Sequence, residues 1–454
     1  MKNYHKQTIK AIFGILLISL PLWSCKKFVD IKPTTSLLGE FIFDNDATVK
    51  SALNGVYIKF SSNYSSAYTE PALYADELTY AYDKVPELNA YTPDISNGFF
   101  DRYYATIYSA NAILEGIGSA SKITPATAAL VKGEALYLRA FSYFQLVNYY
   151  GTVPYVTMTD ANISGQVGNT PVATIYQNII ADLKTSAGLL MNAYPVPNRT
   201  RINKQAVNAL LAKAYLYTKD WVNAASTADL VIGSGIYSIN NDLNAVFAAT
   251  SNETIFQVWN SSGTALGNQF LQYSPTSSVT YPIRPELVNS FAANDLRKGT
   301  YIKPGTGPAL ATNTYVVSKY KANGATAGQP VEYPIIFRLA EIYLIRAEAL
   351  AQQATPASIA AGASDLQVIR TRAGLTTPLV ISTSTQLLTA LADERRKELS
   401  FELGNRWFDI KRTDQALAVL QPLKPGIDAH ILLLPFLRKY TTLNKNLIQN
   451  LGYK

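Results

Sequence analysis

KQAVNALLAKAYLYTKDWVNAASTADLVIGSGIY, residues 204–237, decides the fold. Leu211, Ala212, Tyr215 and Ala224 fall at the spacing of a tetratricopeptide helix pair, where small residues let two helices approach closely. Lys219-Asp220 reads as the short turn between them. A second pair of this kind runs from FRLAEIYLIRAEALAQ (337–352) into ASDLQVIRTRAGL (363–375). Helices stacked in this way predict a mainly α protein built on a tetratricopeptide-like array.

Helical patterning begins near Asp44. VKGEALYLRAFSYFQLVNYYG, 131–151, places Leu136, Ala140, Phe144 and Val147 on one stripe. Tyr137, Leu138, Phe141 and Tyr143 fill most of the remaining surface, so this helix is expected deep in the core. Gly151 supplies its stop and Pro154 prevents continuation. Residues 171–191 form another amphipathic helix, with Ile175, Ile179, Leu183 and Leu190 on one side. Residues 260–284 and 304–332 are rich in Ser, Thr, Gly and Pro and read as long surface loops, usual carriers of function.

The chain of 454 residues is 48% hydrophobic and 16% charged, which describes a globular protein with ample core. Lys2, Lys6 and Lys10 precede the apolar run 11–22, the pattern of an export signal covering residues 1–24. That run is too short to span a bilayer, and no later apolar stretch is longer. Cys25, the single cysteine, follows immediately; it resembles a bacterial lipobox cysteine, whose acyl chains add about 0.8 kcal/mol of anchoring per buried methylene. Trp23 replaces the usual small residue there. A lone cysteine excludes an intrachain disulfide. Removing residues 1–24 takes three lysines and no acids from the formal charge of +8, and the rest is scattered, which argues against nucleic acid. The mature chain would carry one histidine, His430, in no motif; no P-loop or GxGxxG follows a strand, and a zinc site would lack its usual ligands. No metal and no cofactor is expected.

Five stretches, taken together, resemble the SusD/RagB family of surface nutrient-binding lipoproteins, and in that family's order. They are CKKFVDIKP after the lipobox; VKGEALYLRAFSYFQLVNYYGTVPYV; NKQAVNALLAKAYLYTKDWVNAA; RLAEIYLIRAEAL with IRTRAGL; and ERRKELSFELGNRWFDIKR. The closing HILLLPFLRKYTTLNKNLIQNLGYK also fits, although Pro435-Phe436-Leu437 and Tyr440 depart from the usual pattern. The resemblance implies a SusD-like α/α superhelix with a loop-rich, partly irregular subdomain. It divides the chain into a signal (1–24), an extended tether (25–43), an N-terminal region with tetratricopeptide-like helices (44–240) and a C-terminal region (241–454). It implies a lipid anchor at Cys25 in the outer membrane, facing outward, and a SusC-like TonB-dependent transporter as partner. The ligand would be an oligosaccharide, or in some members a peptide, and no catalysis is implied.

ERRKELSFELGNRWFDIKR, 394–412, is the densest patch of charge. Glu394 and Glu398 lie one helical turn apart, a spacing compatible with glycoside hydrolysis, where paired carboxylates sit about 5 to 9.5 Å apart. A secreted glycoside hydrolase is therefore one alternative, and a peptide-binding tetratricopeptide-like scaffold another. The better reading is structural: Glu394, Glu398 and Glu402 on one stripe need cations among them, which Arg396, Arg406 and neighbouring helices supply. Phe401, Trp407 and Phe408 would pack beneath, with Gly404 breaking the helix.

Nine of the 30 tyrosines lie between Tyr64 and Tyr108, many among turn residues. Rings in loops suit stacking against sugars, with hydroxyls bonding at the edge. Tyr80, Tyr82 and Tyr91 are the candidates, with Asp76 and Asn89 as polar contacts; Tyr103, Tyr104 and Tyr108 read as helical packing residues. In the family, ligand-binding groups also come from a later loop, here 259–284, offering Tyr273, Tyr281, Asn268 and Gln269.

Overall fold

The computed structural model describes residues 42–62, 64, 66–80, 98–259, 266–270, 279–305, 313–322 and 331–453. Numbering the helices of eight residues or more, the N-terminal part contains α1 (Asp46–Ser61), α2 (Ser66–Tyr74), α3 (Phe99–Ile117), α4 (Pro125–Tyr150) and α5 (Val172–Leu189). Then come α6 (Lys204–Tyr217) and α7 (Trp221–Ile232). Four short strands, β1 (Thr254–Gln257), β2 (Ile302–Pro304), β3 (Tyr315–Val317) and β4 (Ile335–Arg338), lie between α7 and α8 (Leu339–Gln353). The chain continues with α9 (Pro356–Arg372), α10 (Ser384–Glu398) and α11 (Asn405–Arg412). The mainly helical reading is correct.

From α3 to α9 each helix packs against the next in order, and α7 packs on α8 across the long insertion. That succession is the α/α array expected from residues 204–237. Lys219 takes a left-handed conformation (φ 61°), and Asp220 caps α7 by accepting from the Asn223 N–H at 3.2 Å. Ala212, Ala224 and Ala228 are fully buried between the pair. In the second pair Gly362 does the same work: a Cβ there would stand 2.9 Å from the Ala347 carbonyl oxygen.

Helix α4 is the core element. Every residue from Gly133 to Val147 is buried. Leu138, Phe141 and Phe144 each gain about 1.5–3 kcal/mol by leaving water. Its buried charges are paired. Arg139 makes a two-bond fork with Asp182 of α5 at 2.8 Å each, and Glu134 accepts from Arg201 at 2.7 and 2.9 Å. The helix ends at Gly151 with φ 72°, its N–H donating to Val147 O at 3.0 Å.

Two boundaries differ from expectation. Helix α9 starts at Pro356, seven residues before 363, because Thr355 forms a capping box with Ser358 and Pro356 suits the first helical position. Helix α10 ends at Glu398, so Phe401 is not helical. Phe401, Leu403 and Gly404 all have positive φ (61°, 45° and 72°) and form a tight turn into α11. A Cβ on Gly404 would come 2.9 Å from Pro71 Cβ of α2, so this position also serves close approach.

The 394–412 patch is buried and paired, but its partners are corrected. Arg396 and Arg406 do not neutralise the three glutamates; both grip Asp76, at 2.8 Å and at 2.7 and 3.0 Å. The glutamates take cations from distant segments. Arg297 reaches Glu394 at 2.6 Å and Glu398 at 3.0 Å. Arg338, at the end of β4, bonds Glu398 at 2.6 Å, Glu253 at 2.8 Å and Glu402 at 2.7 and 2.8 Å. Arg372 of α9 bonds both Glu398 and Glu253. Lys319 bonds Glu402 at 2.7 Å and the carbonyls of Glu398 and Ser400 at 2.8 Å. Burial alone would raise the Glu398 carboxyl, but Arg372, Arg338, Arg297 and Lys319 outweigh it and hold it well below the carboxylate range.

Removing one partner of a buried pair strands the rest. Glu398→Ala is expected to cost about 3–5 kcal/mol in denaturant unfolding. Because Glu398 is depressed in the folded state, its contribution is complete above the unfolded value of 4.5 and is lost as pH falls below it. Unfolding of wild type and variant at pH 7 and at pH 3 should therefore show a smaller difference in acid.

Candidate ligand-binding site

The segment after α2 is tied down residue by residue. Asp76 is 2% exposed and held by Arg396 and Arg406. It was expected as a ligand contact; both carboxylate oxygens are instead used inside the protein, so it anchors the segment. Glu77, also buried, accepts from the Phe401 N–H at 3.0 Å. Burial pushes its carboxyl up to about 8, which the Phe401 bond and the charges of Arg406 and Lys319 do not reverse.

The next residues pair with 282–284. Leu78 forms an antiparallel bridge with Ile283. Thr79 N–H donates to Pro282 O at 2.8 Å, and Arg284 N–H donates to Glu77 O at 3.0 Å. Arg284 Nε also donates to Leu78 O at 3.2 Å, and Ile283 N–H donates to Tyr315 O of β3 at 2.9 Å. This pairing brings together two of the expected tyrosines from residues two hundred apart in sequence. Tyr80 and Tyr281 have ring centroids 5.6 Å apart, inclined by 49°, and both are half-buried. Two inclined rings on a hydrogen-bonded base present apolar faces with polar tips, the chemistry that suits a sugar.

Tyr82, Asn89, Tyr91, Tyr273 and Cys25 lie outside the described residues. Asn268 and Gln269 fall in the short helix Leu266–Phe270. That helix sits tightly on the chain at 320–322: a Cβ on Gly267 would stand 2.2 Å from Ala322 O, and Phe270 stacks on Tyr320 at 5.5 Å. Tyr103 is buried and Tyr104 donates to Pro154 O at 2.6 Å, as packing residues should. Tyr108 is 58% exposed, so it is not one of them. Trp259, two residues past the end of β1, is 51% exposed, and the sequence carries no signal for it. All four residues of β1 are buried, so no alternation of faces marks its outward turn.

Catalytic chemistry has no such setting in the charged patch. Glu394 and Glu398 are 1% and 0% exposed and bonded to arginines, which removes them from contact with any substrate. His430 is paired with Asp428 and edges the Tyr453 ring at 5.2 Å. Among the described residues no three His, Cys, Asp or Glu side chains are placed to hold a metal ion, and no helix is long and apolar enough to cross a membrane.

Two family models match this chain. Residues 27–216 match a SusD-like family described as starch-binding and associating with the outer membrane, and residues 289–453 match the SusD family.

The chain belongs to the SusD/RagB family.

A SusD-like protein P2 of Formosa agariphila is 27% identical over 99% of both chains. Among solved structures, a SusD superfamily protein from Bacteroides vulgatus superposes with a TM-score of 0.78 at 21% identity, covering 90% of this chain and 99% of its own. A laminarin-binding SusD-like protein gives 0.74 at 23% identity, covering 90% and 100%. The fold is that of SusD proteins, which are non-catalytic binding proteins associated with the outer membrane. The family's closing segment docks here on the end of α4: Leu434 N–H donates to Tyr149 O, and Asn450 Nδ2 donates to Tyr150 O at 2.9 Å. Phe436 and Tyr440, two of the departures from the family pattern, stack on Tyr150 (5.5 Å) and Phe100 (4.7 Å).

Glu77 yields a test of the base beneath the tyrosine pair. A raised folded value means the folded state binds a proton that the unfolded state, at 4.5, has lost. Stability therefore falls as pH rises from 4.5 through about 8. Glu77→Gln keeps an oxygen for the Phe401 N–H and removes that loss. Thermal melts should match wild type near pH 4.5 and exceed it by several degrees at pH 9; equal melts at both would place Glu77 in a wetter setting.

Proposed function

We propose that this protein is a lipid-anchored receptor on the outer face of the outer membrane. It binds an oligosaccharide and delivers it to a SusC-like TonB-dependent transporter. The Tyr80–Tyr281 pair is the observation that carries the ligand reading. Its rings are partly buried with one side left toward solvent, and their backbone is fixed by the 77–80 and 281–284 pairing. A fixed platform loses little freedom on binding, which favours a rigid, flat, hydroxylated ligand. The family's starch-binding description and the laminarin-binding relative support a glucan as the first class to try. The transporter partner rests on the family alone, and the anchor on Cys25 following an apolar run.

Two measurements test this. Titration calorimetry with maltohexaose and laminarihexaose should show binding to wild type. Tyr80→Ala and Tyr281→Ala should each lose about 1–3 kcal/mol, by analogy with the stacking of bases on aromatic rings. Wild-type affinity in both variants would move the site elsewhere. For the anchor, Cys25→Ser is expected to abolish lipidation and release protein from membranes, or leave it as precursor. Unchanged retention after a carbonate wash would argue against it.

A further inference from the structure

A second aromatic surface shares no described residue with the Tyr80–Tyr281 pair. Trp259 and Ile58 of α1, 51% and 62% exposed, line a groove of about 350 Å³, within the usual range of roughly 300–1,000 Å³ for small-molecule sites. A large indole left half in water beside a groove is the kind of surface that protein–ligand contacts use.

The two asparagine amides of the groove have their acceptors occupied and their donors open. Asn54 Oδ1 accepts from Arg201 Nη1 at 2.9 Å. Asn198 Oδ1 accepts from the Thr200 hydroxyl at 2.6 Å and its N–H at 3.3 Å. Each amide is thereby oriented, and among the described residues neither Nδ2 has a protein acceptor. The Asn198 carbonyl is itself tied to β1 by Gln257 Nε2 at 2.6 Å. Both asparagines are exposed. Among the described lining residues the cation is Arg201, and it is spent: its guanidinium bonds the fully buried Glu134 at 2.7 and 2.9 Å and lies 4.7 Å over the Tyr57 ring. Tyr57 donates its hydroxyl to the same Glu134. The groove thus offers a flat ring, two oriented amide donors and no uncompensated charge.

We propose that this groove is a second saccharide subsite, taking a neutral hexose unit stacked on Trp259 with hydroxyls accepting from Asn54 and Asn198. It rests on the oligosaccharide reading above. An anionic sugar is disfavoured because the guanidinium among the described lining residues, Arg201, is already neutralised by Glu134. An apolar occupant would leave both amide donors unmatched.

The indole makes the test direct. Trp407 is buried and Trp221 only partly exposed, so a change in tryptophan emission that disappears in Trp259→Phe reports this groove. The mature protein is titrated with maltohexaose and laminarihexaose, in parallel with Trp259→Ala, Trp259→Phe and Tyr80→Ala/Tyr281→Ala, all checked for unchanged melting. The expected result is an emission change in wild type and in the double tyrosine variant. Trp259→Ala is expected to lose about ten- to hundredfold in affinity for that component, with partial recovery in Trp259→Phe. Calorimetric binding with no Trp259-dependent emission change and unaltered affinity in Trp259→Ala overturns the subsite and leaves the oligosaccharide reading standing. No binding of either oligosaccharide to wild type overturns both. An emission change with an apolar pentapeptide and with neither sugar overturns the saccharide assignment of the groove.

Discussion

The fully buried carboxylate of Glu398 is the constraint on which the rest of the structure depends. Three guanidiniums converge on it, from Arg297, Arg338 and Arg372, and they come from three separate segments of chain. A buried charge left alone is costly, so each segment must be in place for the others to be tolerable. The consequence is architectural. Among the described residues between α7 and α8 the regular elements are short, yet Glu253, Asp295, Arg297, Lys319 and Arg338 from that stretch are all ion-paired into the cluster. The cluster locks an irregular insertion onto a regular helical array.

The same cluster reaches the surface in a short chain of contacts. Glu402 follows α10 in a left-handed turn, and the Phe401 N–H of that turn is bonded to Glu77. Asp76, next to Glu77, is clamped by one arginine from α10 and one from α11. Four residues after Asp76 is the partly buried Tyr80, held against Tyr281 by strand-like pairing. An aromatic platform discriminates a flat ligand only if its rings stay where they are. Here the rigidity comes from buried charge and backbone pairing, and the rings themselves stay at the surface.

Much of the helical array is legible in the sequence because its signals are local. The run 131–151 is apolar on nearly every face, and a helix of that kind has one stable place, the core. Lys219-Asp220 and Gly151 end their helices where they stand in the chain, through a left-handed residue and caps that need no distant partner. The apolar pattern of α9 begins only at 363, whereas a capping box at Thr355 sets its boundary seven residues earlier. The candidate site was legible in kind, as tyrosines among turn residues, but Asp76 could not be told from a ligand contact. An aspartate beside tyrosines in a loop looks the same in sequence whether it faces solvent or two arginines 320 and 330 residues away.

By itself the sequence determined the helical class, the tetratricopeptide-like pairing and the family, since periodicity, small-residue spacing and motif order are properties of neighbouring residues. It also determined that the 394–412 patch had to be paired, because like charges at helical spacing repel. Only the tertiary structure decided which cations do the pairing, which tyrosines meet, and that Trp259 stands at the edge of a groove. Those are contacts between residues tens to hundreds of positions apart. They depend on how the insertion between α7 and α8 folds back onto the helices, and no local pattern of residue types encodes that path.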